Sequence, residues 1–265
     1  MRVPFTKMEG AGNDYVYVDA IRDRFPFERA SELARRWSDR HFGIGADGLI
    51  VLTSGQRAPL RMAMWNADGS RGAMCGNGLR CLAVLATAHG HVREARFPIE
   101  TDAGVREVEL LNGGLVRTAM GAVQCGEEAD ISVAGRSLRY FPGDAGNPHA
   151  VTFVDDVEHT DVVALGRAMQ SHASFPDGVN VEFVQVHGPT VLLQRTFERG
   201  SGETLACGTG AAVAALAARR SNRVRGELVE VRLRGGTLRV LLAGSSLAIE
   251  GPVRTVFTGE IELPE

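Results

Sequence analysis

The sequence repeats itself at an offset of 132 residues, and the repeat is densest around two cysteines. Met74-Cys75-Gly76-Asn77-Gly78 leads into the helix-forming stretch 79–89, and Ala206-Cys207-Gly208-Thr209-Gly210 into the stretch 211–220. The same offset joins Asn66, nine residues before Cys75, to Glu198, nine before Cys207, and the strand-like run 61–65 to 193–197. Further back, Ala11-Gly12-Asn13 is echoed by Ala145-Gly146-Asn147. Order as well as motif is shared, so an offset of about half of 265 residues implies an internal duplication into two domains of ordinary size. The expected fold class is α+β: two similar domains, each a mostly antiparallel sheet wrapped around a central helix, with the active site in the cleft between them. The domains are expected at 1–120, completed by 252–265, and at 121–251.

Local signals fill in this frame. Residues 15–21 are rich in β-formers and read as a strand. Residues 27–37, with Leu33 and Trp37 four apart, read as an amphipathic helix. Gly43-Ile-Gly45-Ala-Asp-Gly48 matches the dinucleotide pattern G-x-G-x-x-G, but in an inverted context. It follows a helix and opens the strand 49–52, whereas a Rossmann loop follows a strand and opens a helix. Residues 97–120 alternate β-rich runs with glycine turns, as a meander does. In the second half, 131–140 reads as a hairpin, 151–154, 179–186 and 191–197 as strands, and Asp161 as the cap of a helix reaching about His172. A further hairpin turns at Gly235-Gly236. The alanine-rich run 211–220 has little side-chain bulk, which suits a helix enclosed closely by curved sheet.

Composition excludes several classes of function. A chain with 23% charged and 44% apolar residues reads as globular, and a net charge of −3 argues against a nucleic-acid partner. No apolar run approaches the ~20 residues of a membrane span, and the N-terminus lacks a signal pattern, so a cytoplasmic protein without membrane partner is expected. In that compartment Cys75, Cys81, Cys125 and Cys207 are expected as free thiols. Lys7 is the only lysine against 28 arginines, which bears on any pyridoxal phosphate chemistry, since that needs a lysine amine.

A cysteine at a helix N-terminus faces unsatisfied backbone N–H groups and the positive end of the helix dipole. A free thiol has a pKa of roughly 8.5, and bringing it to about 7 takes roughly 2 kcal/mol, which a helix terminus can supply. Cys81 and Cys125 lack this setting and read as core residues. Zinc wants close cysteine pairs or neighbouring histidines, and the seven histidines are scattered, so no metal is expected. Dithiol redox pairs usually carry C-x-x-C, which is missing here. A duplicated thiol is instead explained by two opposed acid/base groups: one removes a proton from one face of a carbon and the other delivers one to the opposite face, inverting the centre.

Asn66-Ala-Asp-Gly-Ser70, Cys75-Gly-Asn-Gly-Leu-Arg-Cys81, Gly146-Asn-Pro-His149 and the segment from Glu198-Arg199 to Cys207-Gly-Thr-Gly210 resemble the motifs of diaminopimelate epimerases. The likeness runs from Phe5 to the C-terminal strands. The resemblance implies a homodimeric epimerase without cofactor that converts LL-diaminopimelate to the meso isomer for lysine and peptidoglycan precursors. It implies Cys75 and Cys207 as the catalytic pair, and the amides of Gly76, Asn77, Gly208 and Thr209 as the holders of the reacting carboxylate. Asn13, Asn66, Asn180, Glu198 and Arg199 would grip the amino groups and distal carboxylate, with Asn147 and His149 lining the site. One departure is visible: many members carry glutamine at the position of Gly48, or of Asp47 beside it. A two-thiol racemase of proline or hydroxyproline is the competing reading, but those resemble the pattern with Gly-His after the first cysteine, where this chain has Gly76-Asn77. Read without the resemblance, Asn13, Asn66 and Asn180 are turn or cap residues, and Glu198 and Arg199 a solvated pair.

Overall fold

The two-residue turn Ala11-Gly12, with both residues at positive φ (53° and 81°), closes the first hairpin of the computed structural model, which describes residues 1–243 and 247–263. That hairpin joins β1 (Arg2–Gly10) to β2 (Asn13–Asp19). After a short 3-10 turn come α1 (Ala30–Ser38), β3 (Gly48–Ser54), β4 (Leu60–Asn66), the two-residue β5 (Arg71–Gly72) and α2 (Gly76–Ala88). The meander β6 (Arg96–Thr101), β7 (Gly104–Leu110) and β8 (Leu115–Gly121) follows. The strand β3 carries apolar side chains toward both faces. Ile50 and Leu52 pack with Leu79, Leu82 and Leu85 of α2, while Leu49 and Val51 pack with Leu33 and Trp37 of α1. Being covered on both sides is why it reads as a continuous apolar run rather than an alternating one.

The second half runs β9 (Gln124–Cys125), β10 (Ala129–Val133), β11 (Arg136–Asp144), β12 (Pro148–Phe153), α3 (Val162–Gln170), β13 (Asn180–Gly188), β14 (Val191–Glu198) and β15 (Gly202–Thr204). Then come α4 (Gly208–Arg220), β16 (Leu228–Leu233), β17 (Gly236–Leu241) and β18 (Leu247–Pro252). The last strand, β19 (Arg254–Glu262), pairs antiparallel with β1. The chain thus divides into one unit of Met1–Thr118 with Gly251–Glu265 and another of Ala119–Glu250. Asp161 caps α3 through a 3.1 Å bond from the N–H of Ala164. No helix among the described residues is long and apolar enough to cross a membrane.

The duplication holds at the level of strand register. Leu49 faces Trp65 and Val181 faces Phe197; Met64 faces Gly72 and Thr196 faces Thr204; Leu60 faces Ile99 and Leu192 faces Val231. Each pair recurs 132 residues on, as do the bounds of both helices. Pairing is mostly antiparallel, with parallel exceptions at β2–β3, β4–β6, β12–β13 and β14–β16. The glycines at 43–48 end a helix instead of starting one: the N–H groups of Ile44 and Gly45 both donate to the Trp37 carbonyl at the close of α1. Their amides are occupied there, which removes the dinucleotide reading.

The enclosed helices differ in bulk. Leucines of α2 fill the space within the first unit, whereas α4 buries Ala211, Ala212, Ala214, Ala215, Ala217 and Ala218. The two helices should therefore respond in opposite senses to volume. Leu82→Ala is expected to cost about 2–5 kcal/mol by opening a cavity, and Ala214→Leu about 1–3 kcal/mol by overpacking. Urea denaturation of both variants checks this; an Ala214→Leu variant as stable as the parent would contradict the close enclosure of α4.

Candidate functional site

Cys75 is the N-cap of α2 in extended conformation, and its sulfur accepts the N–H of Gly78 at 3.4 Å. The first intrahelical bond runs from Leu79 N–H to the Cys75 carbonyl, so the N–H groups of Gly76 and Asn77 precede the helix ladder. The closeness of helix to sheet dictates Gly78, because a Cβ there would lie 2.5 Å from Ile50 Cδ1. At Gly76 a Cβ would meet nothing within 4 Å, so its lack of a side chain is not a packing requirement.

The half-buried Cys75 thiol donates to Asn13 Oδ1 at 3.1 Å. The amide of Asn13 is oriented by its other end, since its Nδ2 donates to Asp47 Oδ2 at 2.6 Å. Asp47 and Asp14 in turn share Arg40, at 2.9 and 2.8 Å, and the buried Lys7 pairs with Asp14 at 2.5 Å and with the Gly45 carbonyl. The one amine side chain of the protein is thus bound into the network beneath Asn13. Burial, followed by the negative charge of Asp14, raises the Asp47 carboxyl. Burial also acts against ionisation of Asp14, yet its hydrogen bonds and charge pairing with Arg40 and Lys7 hold it below the usual carboxylate range. At Gly48 the backbone leaves no room for a side chain: a Cβ would stand 2.2 Å from the Trp65 carbonyl oxygen.

Two residues that the sequence reading passed over complete this end of the unit. Tyr15 is buried and its phenol is pushed well up, first by burial and then by the neighbouring Cys75. Arg80, fully buried, donates to Asn77 Oδ1 and so fixes the side chain next to Cys75. An arginine between Leu79 and Cys81 in an apolar helical run was the available signal for it. Asn66 lies exposed at the end of β4, its Nδ2 donating to Ser70 Oγ at 2.9 Å across the turn.

Cys207 is likewise an extended N-cap, but a buried one, with its sulfur 3.4 Å from Thr209 Oγ1. The ladder of α4 starts at Ala211 N–H to Cys207 O, beyond the N–H groups of Gly208 and Thr209. Around this thiol the repeat has diverged. The position of Ile50 holds Glu182, whose Oε1 would be 2.3 Å from a Cβ on Gly210, and the position of Asn66 holds Glu198. Glu182 is fully buried, pairs with His149 Nδ1 at 2.8 Å, and has no partner for Oε2 among the described residues. The other ring nitrogen of His149 is 2.9 Å from Asn147 Oδ1. Reactive atoms of His149, Glu182 and Cys207 all lie within 4.8 Å of one another.

This surrounding reverses one expectation. A helix N-terminus should lower a thiol pKa, yet that of Cys207 is driven well up, first by burial and then by the charges of Glu198 and Glu182. The Thr209 hydroxyl and Gly210 N–H oppose the rise without overcoming it. Glu198, half-buried and accepting from Thr204 Oγ1 at 2.5 Å, is itself raised, mainly by burial. Asn180 is tied to backbone, donating to the Pro148 carbonyl at 3.1 Å and accepting from the N–H of Arg199 at 2.9 Å. The Arg199 side chain is exposed and does not pair with Glu198; its Nη1 donates to the Asp177 carbonyl at 3.1 Å. Cys81 and Cys125 are buried free thiols, and burial lifts Cys81 to about 12.

The duplicated sheet around a central helix is a fold shared with solved structures. A Bacillus anthracis protein of the PhzF phenazine-biosynthesis family superposes with a TM-score of 0.79 at 17% identity, covering 99% of this chain and 100% of that one. A hydroxyproline epimerase from Agrobacterium vitis superposes at 0.73 and 16% identity, covering 98% and 92%. Within that fold, the diaminopimelate epimerase family model matches residues 5–126 and 142–256. The diaminopimelate epimerase of Leptospira biflexa is 39% identical over 99% of this chain and 100% of its own length, and that of Geobacillus thermodenitrificans 42% over 96% and 95%. The chain belongs to the diaminopimelate epimerase family.

The raised pKa of Glu198 has a consequence for stability. A folded-state value above the ordinary 4.5 means that the native chain holds this proton more tightly than the unfolded chain, so stability is lost as pH rises from about 4.5 through the raised value. Glu198→Gln keeps an acceptor for Thr204 and removes the charge. Its melting temperature should match the parent near pH 4 and exceed it increasingly above pH 4.5, reaching a plateau; a difference that does not vary with pH would contradict the assignment.

Proposed function

We propose that this protein interconverts LL-diaminopimelate and meso-diaminopimelate without a cofactor, with Cys75 and Cys207 acting on opposite faces of one α-carbon. The observation that carries the reading is the pair of cysteine N-caps in equivalent positions of a duplicated fold, within a chain of this family. Each thiol stands at the head of a helix whose first N–H groups, those of Gly76 and Asn77 or of Gly208 and Thr209, suit the carboxylate on the reacting carbon. Charge building on that carboxylate as the α-proton leaves is stabilised by the same donors.

The two thiols enter the reaction differently. Burial beside two carboxylates keeps the proton on Cys207, which makes it the acid of one direction. Cys75, once the proton it donates to Asn13 Oδ1 has left to solvent, is then the base that takes the α-proton from the opposite face. For the reverse direction Cys207 must lose its proton, and the raised carboxyl of Glu198 is the group placed to accept it. His149, bridging Glu182 and Asn147, holds the buried carboxylate beneath the helix. Asn13 steers the Cys75 thiol, and Asn66, Asn180, Glu198 and Arg199 serve the amino groups and the distal carboxylate, Arg199 through a planar two-donor grip. A homodimer working in the cytoplasm is part of this proposal, and rests on the family alone.

Substituting each thiol tests it. Cys75→Ala and Cys207→Ala should each lower turnover of LL-diaminopimelate by at least ~10²–10⁴-fold with an unchanged circular dichroism spectrum, while Cys81→Ala remains active. Near-parental activity in either of the first two would refute the two-base mechanism. Arg199→Lys should raise KM about tenfold or more with a smaller effect on kcat, because lysine cannot reproduce the two-donor contact. An unchanged KM would assign Arg199 to its Asp177 contact alone.

A further inference from the structure

The far end of α2 carries a cluster that the reaction does not use. Asp19, the last residue of β2, is 3% exposed, and its Oδ2 lies 2.7 Å from His89 Nδ1 and 2.6 Å from His91 Nε2. Its Oδ1 accepts the N–H groups of Ile21 and Arg22 at 3.1 and 3.3 Å, which fixes the plane of the carboxylate. His89 is the C-cap of α2, and Gly90, at φ +80°, turns the chain back so that His91 reaches the same oxygen. Burial works against the ionised Asp19, but the imidazoles and the Ile21 N–H hold its carboxyl below the usual range. An open groove of about 420 Å³ borders Asp19 and His89, with Tyr17, Leu85 and Glu260 among its walls.

We infer that Asp19, His89 and His91 form a binding site for a divalent transition-metal ion of the zinc type, with the groove giving access to its remaining coordination position. The donor set of two imidazoles and one carboxylate matches such ions. The three donor atoms lie within 4.8 Å of one another. Metal–ligand bonds near 2.1 Å place tetrahedral donors roughly 3.4 Å apart, so from 2.7 and 2.6 Å each ring retreats from Asp19 Oδ2 by about 0.7–0.8 Å. Both histidines are half-buried. Each ring binds through the nitrogen that now faces Asp19, its proton residing on the other nitrogen. The Ile21 and Arg22 amides orient the carboxylate as outer-sphere partners do. A cation is also favoured there by the negative end of the helix dipole.

The bound ion would staple the end of β2 to the C-terminus of the helix whose N-terminus presents Cys75. At 1.5 Å per residue the 13-residue helix separates the two by about 20 Å, so the role is structural. His89 and His91 stand two apart along the chain, but the third donor, Asp19, lies 70 residues before His89, so the three do not form a compact ligand motif in the sequence.

Titration of metal-free protein with Co(II) and Zn(II) tests this independently of the epimerase reading. The inference requires one equivalent of Co(II) with visible d–d bands and no near-ultraviolet thiolate band, displacement by Zn(II), and a melting temperature raised by Zn(II). His91→Ala and Asp19→Asn should each weaken binding at least tenfold, whereas His187→Ala, at an exposed histidine of the other unit, leaves it unchanged. Failure of the parent protein to take up Co(II) overturns the inference. So does binding that survives both substitutions, or a thiolate band, which would place the ion on Cys207 with His149 and Glu182.

Discussion

A helix that starts on a cysteine offers its first N–H groups only if nothing crowds its first turn, and here the crowding comes from the strand beneath. Ile50 under α2 and Glu182 under α4 stand so close that a Cβ at Gly78 or Gly210 would be 2.5 or 2.3 Å from them. The Gly-x-Gly that follows each cysteine therefore serves two ends. Its second glycine lets the helix rest on the sheet. The first, shown at Gly76, leaves the approach to the helix terminus open. Strand, helix and thiol are consequently fixed as a set, and the identical registers of the two units reproduce that set twice.

Identical backbones do not make identical thiols. At equivalent positions the first unit carries Ile50 and Asn66 where the second carries Glu182 and Glu198, and Tyr15 of β2 stands where β12 has His149. Cys75 faces an amide oxygen whose orientation is fixed by Asp47. Cys207 is buried beside two carboxylates that keep its proton in place. Epimerisation in both directions calls for two groups that can each be acid or base, with opposite states at the outset. A duplicated scaffold with divergent floors supplies that difference without moving either sulfur relative to its helix.

The duplication, the cysteine-headed helices and many of the strand segments were legible because they depend on local pattern and on a repeat that the chain displays directly. What escaped depends on distant pairings. Tyr15, Arg80 and the Lys7–Asp14–Arg40–Asp47 network surround Cys75 and Asn13 only once the sheet has formed. The direction of the Cys207 shift was misjudged for a related reason. The helix dipole is visible in sequence, but the depth of burial and the carboxylate of Glu182, delivered by another strand, are not. Asn180 and Asn66 show the converse: each makes the turn or backbone contacts that asparagine usually makes, alongside any contact with substrate.

Isotope transfer reads directly whether two thiols exchange protons with opposite faces of one carbon. Protein without added cofactor is incubated with LL-diaminopimelate in deuterium oxide, and both isomers are recovered at low conversion. Meso-diaminopimelate carrying one deuteron at the inverted α-carbon, with the remaining LL substrate unlabelled, is the predicted result, because the incoming proton comes from a second thiol in exchange with solvent. Product that retains the substrate proton, or LL substrate labelled as fast as product forms, would mean that a single group serves both faces and would contradict it.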